Sequence, residues 1–117
     1  QGRDFQSIHG VKMLAGLAAA DRGDFSSVLA SWRPMAEEGH SAAQAGLGMI
    51  YQKGLGVPID LVQAYKWNNL ARRHYDAVGA SLAFMARKMS FEEATKAQEL
   101  ALEWFEARRQ ILIGPLS

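Results

Sequence analysis

The feature that most limits what this chain can fold into is an internal repeat. Trp32 and Trp67 stand 35 residues apart, and the same offset joins Ala36 to Ala71, Ala42 to Ala77, Ala45 to Ala80, Leu47 to Leu82 and Lys53 to Lys88. So many identities at one offset mark a repeated unit even in an Ala-rich chain. Trp104 follows Trp67 by 37 residues, as a two-residue insertion would leave it. A period of this length belongs to helix–turn–helix units that stack on their neighbours, not to propeller blades or leucine-rich repeats.

Helix boundaries follow the same scheme. Asp24, Ser41, Asp60 and Ser90 stand where helices should begin, and their side-chain oxygens can accept first-turn N–H groups. Gln44, Gln63 and Glu93 follow the last three of these by three residues, in the manner of a capping box. Gly23, Gly39 and Gly54 stand where helices should stop. These signals predict six helices, over roughly 8–21, 25–38, 41–53, 61–74, 77–89 and 91–110, pairing into three antiparallel hairpins. Pro34 should kink the second helix or end its regular part. β-Branched residues are sparse beside Ala, Leu, Met, Gln and Glu, so no strand pattern competes. The one strand-like stretch is the tail Ile111-Leu112-Ile113-Gly114-Pro115-Leu116, expected to lie across the end of the last hairpin or to dock elsewhere.

The chain of 117 residues suits a single domain, 1–117, with units at about 8–38, 41–74 and 77–110 and a tail at 111–117. With 49% hydrophobic and 21% charged residues it has the balance of a globular chain rather than a disordered one. Absence of cysteine removes disulfides, thiolate zinc sites and thiol nucleophiles, while leaving the redox compartment open. A net charge of +1 lacks the basic excess with which proteins neutralise phosphates, so no nucleic-acid partner is expected. No apolar run approaches the roughly 18–20 residues that span a bilayer. The start Gln1-Gly2-Arg3-Asp4-Phe5-Gln6 is too polar for a signal peptide, though one cut away would leave no trace.

The most informative stretch is Ala43-Gln44-Ala45-Gly46-Leu47-Gly48-Met49-Ile50-Tyr51-Gln52-Lys53-Gly54-Leu55-Gly56-Val57-Pro58-Ile59-Asp60, followed by Ala64, Trp67 and Ala71. It resembles the Sel-one-like repeat, a relative of the tetratricopeptide repeat with a longer loop between its two helices. Ala43, Leu47, Gly48, Tyr51, Gly54, Gly56, Val57, Asp60, Ala64, Trp67 and Ala71 fill every place of that family's pattern. The likeness spans roughly residues 11–107 and fades outward. The first unit keeps Gly23, Asp24, Phe25, Trp32 and Ala36 with a short turn; the third resembles the long closing helix of small bacterial members. The disulfide-stapled branch of the family is departed from, since no Cys is present. The resemblance implies a right-handed α-α superhelix whose concave face binds peptides or protein segments. Small bacterial members are often exported, which favours a periplasmic location and leaves a cytoplasmic adaptor open.

Chemical readings are weak against this background. Gly54-Leu55-Gly56-Val57-Pro58 is no phosphate loop, because Pro58 lacks an N–H and Asp60 brings a negative charge. His9, His40 and His74 form no metal-ligand spacing, so no metal or cofactor is expected. Glu37-Glu38 and Glu92-Glu93 are helix neighbours about 100° apart, so neither pair converges on one atom. Ser26-Ser27 shows no activating base. The three tryptophans, at matching places on second helices, should be core rather than a stacking platform. The clusters Arg72-Arg73-His74, Arg87-Lys88 and Arg108-Arg109 should stand at helix C-termini, where cations complement the dipole. The expected function is a non-catalytic protein–protein interaction module. Its proposed concave-face residues are Gln44, Gln52, Arg87 and Lys12, with Ala45 and Gly48 making room for the ligand. A structural or self-associating subunit, joined through residues 111–116, is the alternative, and a small hydrolase the minor one.

Overall fold

The computed structural model describes the backbone of residues 2–113 and the side chains of residues 10–111. Among them are six helices and no strand: α1 (Gly2–Asp21), α2 (Phe25–Glu37), α3 (Ser41–Lys53), α4 (Leu61–Ala71), α5 (Val78–Ala86) and α6 (Phe91–Ile113). No helix among the described residues is long and apolar enough to cross a membrane.

The turns explain how the chain doubles back. After α1, the Gly23 N–H donates to Ala20 O at 2.9 Å and the Asp24 N–H to Ala19 O at 2.8 Å; after α2, Gly39 donates to Ala36 O at 3.0 Å and His40 to Met35 O at 2.9 Å. Both are Schellman closures, and they need the left-handed backbone of Gly23 (φ 75°) and Gly39 (φ 99°). The longer α3–α4 loop is closed by the Asp60 N–H donating to Tyr51 O at 2.9 Å. Asp24 and Asp60 cap α2 and α4 as expected, accepting from Ser27 N at 3.3 Å and Gln63 N at 3.1 Å. Ser90 and Glu93 complete a reciprocal capping box on α6, at 2.9 and 3.0 Å.

Several boundaries differ from those expected. His40, not Ser41, caps α3: its Nδ1 accepts from Ala43 N at 3.2 Å, and Ser41 is already helical. α2 runs past Pro34 to Glu37. The proline deprives only the carbonyl of Ala30 of its partner, and Ala30 is exposed to solvent. α4 and α5 are shorter than the sequence implied, and Ala77 offers α5 no side-chain cap. α1 starts at Gly2 and α6 reaches Ile113, so Ile111-Leu112-Ile113 is helix rather than a strand-like tail. Residues 114–116 of that expectation lie outside the described residues.

α1 packs on α2, α2 on α3, and α3 most extensively on α4. α5 and α6 both take α4 as their main neighbour, so the third unit does not close into a hairpin like the first two. The radius of gyration is 14.8 Å, with extents of 49 × 44 × 23 Å, a flattened body slightly wider than the roughly 13 Å of a sphere-like domain of this length.

The main core joins α2, α3, α4 and α6 through Trp32, Met35, Leu47, Ile50, Trp67, Leu70 and Trp104; a smaller one joins Ala64 to Leu82 and Met85 of α5. All three tryptophans are buried, as the repeat required. Burying each of the large side chains is worth about 1.5–3 kcal/mol. Trp32 lies between two glycines: a Cβ on Gly16 of α1 would overlap its indole, and one on Gly46 of α3 would come within 2.5 Å of Cζ3.

Candidate functional site

The alternation of helices leaves a groove of about 330 Å³ where α3, α4 and the start of α5 meet. α3 supplies Ala45, Met49, Gln52 and Lys53, which recur at helical spacing and so share one face. Asn68 of α4 forms the floor and is almost fully buried. Val78 and Ser81 close the groove from α5. Amide, hydroxyl and ammonium groups thus alternate with the apolar surfaces of Met49 and Val78. Such a lining can pair with the backbone of an extended segment while enclosing an apolar side chain. It holds no His, Asp or Glu, and so no acid–base pair.

The four residues singled out in the sequence do not come together. Gln52 lines the groove, beside Ala45. Gln44 is fully buried, and its Nε2 donates to Ala36 O at 3.1 Å, tying α3 to the end of α2. Eight residues at 100° each leave Gln44 and Gln52 about 80° apart on the helix, which is enough to turn one inward. Arg87 follows the last residue of α5, exposed and away from the groove lining. Lys12 is exposed on α1, which packs on α2 at the far side of the first pair. Gly48 does not make room for a ligand: Asn68 covers it, and a Cβ there would come within 2.7 Å of Asn68 Cγ. Its small size serves the close approach of α3 and α4 instead.

Sequence reasoning missed Met49, Asn68, Val78 and Ser81. Ser81 lies one place beyond the repeat partner of Ala45. Only the crossing of three helices makes these four neighbours.

Two cations elsewhere lie against aromatic side chains. Arg33 of α2 donates to the Tyr51 hydroxyl of α3. Lys66 of α4 is half-buried, its ammonium 4.1 Å from the Trp67 ring centroid. Burial holds its pKa below the usual 10.5, against an opposing pull from Glu37 and Glu103 and with a smaller push from Arg33. None of these side chains lines the groove. Among the described residues, no three His, Asp or Glu side chains are grouped so as to hold a metal ion.

Compared with protein-family models, curated proteins and solved structures, the chain matches none of them. What the fold itself defines is an all-helical protein.

Proposed function

We propose that this protein is a non-catalytic interaction module of the Sel-one-like kind, a short α-α solenoid that holds a peptide segment of a partner protein. The observation that carries this reading is the groove between α3, α4 and α5, whose polar and apolar lining suits an extended chain and lacks an acid–base pair. Two closed helix pairs with matching tryptophans, and the eleven filled places of the repeat pattern, support the same view. Within the groove, Gln52, Asn68 and Ser81 bond the ligand backbone, and Met49 with Val78 receives a side chain.

A photo-reactive residue at Ser81 should trap a partner that wild type retains from a lysate, and a Gln52→Arg/Ser81→Arg variant of unchanged helicity should lose it. Retention by that variant, with trapping only from Leu102 on α6, would remove the groove from consideration.

A second reading, self-association, is favoured by one observation. Val11, Leu14 and Leu17 form an exposed apolar line along α1, and Ile111 is exposed on α6. Light scattering on a Leu14→Glu/Leu17→Glu variant and on a chain lacking residues 111–117 tests it; the wild type should then be larger than a monomer and one of the two variants not.

A further inference from the structure

A second and larger cleft, of about 480 Å³, lies between the turn after α2 and the C-terminal half of α6. Three arginines line it, Arg73 from the turn after α4 and Arg108 and Arg109 from α6. The dipole at a helix end does not account for the α6 pair. α6 continues to Ile113, and its last turn carries no basic residue.

The cleft is built rather than incidental. Trp104 lines it with its indole fixed, the Nε1–H donating to Glu37 O at 3.1 Å. Phe105 stands edge-on to Trp104, with ring centroids 5.4 Å apart. Arg73 Cζ lies 4.8 Å from the Phe105 ring centroid, and this cation–π contact holds one guanidinium at the cleft with its N–H edges unspent. Arg109 pairs with Glu106 at 3.5 Å, but both are largely exposed and one helical turn apart, a weak contact that a better-placed carboxylate displaces.

The charge pattern selects the ligand. Three arginines and two glutamates, Glu38 and Glu106, line the cleft, an excess of one positive charge. The net charge of +1 provides no long-range field of the kind with which proteins gather a phosphate backbone. The planar guanidinium fork matches a peptide carboxylate bidentately. We propose that this cleft is a second binding site, one that takes an acidic segment of a partner protein with its Asp or Glu carboxylates on Arg73, Arg108 and Arg109. It is separate from the α3–α5 groove and stands whether or not that groove binds.

Fluorescence anisotropy with labelled hexaglutamate tests it, against hexaglutamine and an oligothymidylate of equal charge. Hexaglutamate should bind at low salt and hexaglutamine should not. Arg73→Gln/Arg108→Gln should weaken binding at least tenfold, the corresponding double Lys variant should fall between, and Arg22→Gln, which removes an exposed cation away from the cleft, should leave it unchanged. Of the three indole N–H signals in a nitrogen-15 spectrum of the wild type, that of Trp104 should move on titration; this readout needs no variant to fold. Absence of hexaglutamate binding, equal affinity in the Gln variant of intact helicity, an unmoved Trp104 signal, or oligothymidylate binding as tightly would each overturn the proposal.

Discussion

At the scale of single residues, the interior is decided by which side chains are absent. Trp32 fits between α1 and α3 because positions 16 and 46 carry no Cβ. Gly46→Ala forces that ring or a helix axis to move, and overpacking of this kind costs about 1–3 kcal/mol. The midpoint of urea unfolding should fall accordingly, with the slope unchanged. Gln44 gives a less obvious case. Its Nε2 bonds Ala36 O, but that carbonyl also accepts from Gly39 N, and Gln44 Oε1 is buried without a partner among the described residues. Gln44→Leu, of similar size, should therefore change stability by less than about 1 kcal/mol, because no group is newly orphaned. Gln44→Ala leaves a cavity and should cost about 2 kcal/mol or more. Calorimetry on the two variants separates packing from hydrogen bonding at this site.

At the scale of elements, the caps make pH part of helix stability. The Ser27 hydroxyl and then the Ser27 N–H hold the Asp24 pKa below its ordinary 3.8, with a smaller pull from Arg22. A depressed folded pKa means that the unfolded chain binds the proton more readily. The stabilisation is complete above pH 3.8 and disappears as pH falls through the lower folded value. The gap in urea midpoint between wild type and Asp24→Asn should thus be present at pH 7 and close toward pH 2; a gap independent of pH would refute the role of the charged cap. On α6 the box is reciprocal, and Ser90→Ala should cost about 1 kcal/mol at neutral pH. These caps were legible in the sequence because an oxygen-bearing residue three places before a donor is a local signal. His40 was less so, since Ser41 beside it offers the commoner acceptor.

At the scale of the whole molecule, α6 decides the shape. Trp104 crosses to the end of α2, 67 positions back in the chain, and its N–H is the one indole donor of the three that finds an acceptor among the described residues. Trp104→Ala should remove the contact that folds α6 over the α2–α3 turn, at a cost of about 3–5 kcal/mol. Hydrogen exchange should then rise in the C-terminal half of α6 while α3 and α4 remain protected. Equal loss of protection in all helices would mean that the core shared by α2, α3 and α4 does not hold without the α6 contribution.

The repeat, the helices and the tryptophan core were determined by the sequence alone, because each is written in local spacing: 35 residues between units, three between a cap and its donor, a glycine where the chain must turn left-handed. What lay beyond it was the third unit, where α5 and α6 both turn to α4, and the two clefts that follow from this packing. Gln44 and Gln52 look alike in the sequence and end on different sides of one helix. Arg108 and Arg109 look like the end of a helix and instead line a cleft. Such outcomes depend on which helices meet, and that is set by the shapes of whole faces pressed together, not by the spacing of residues along any one of them.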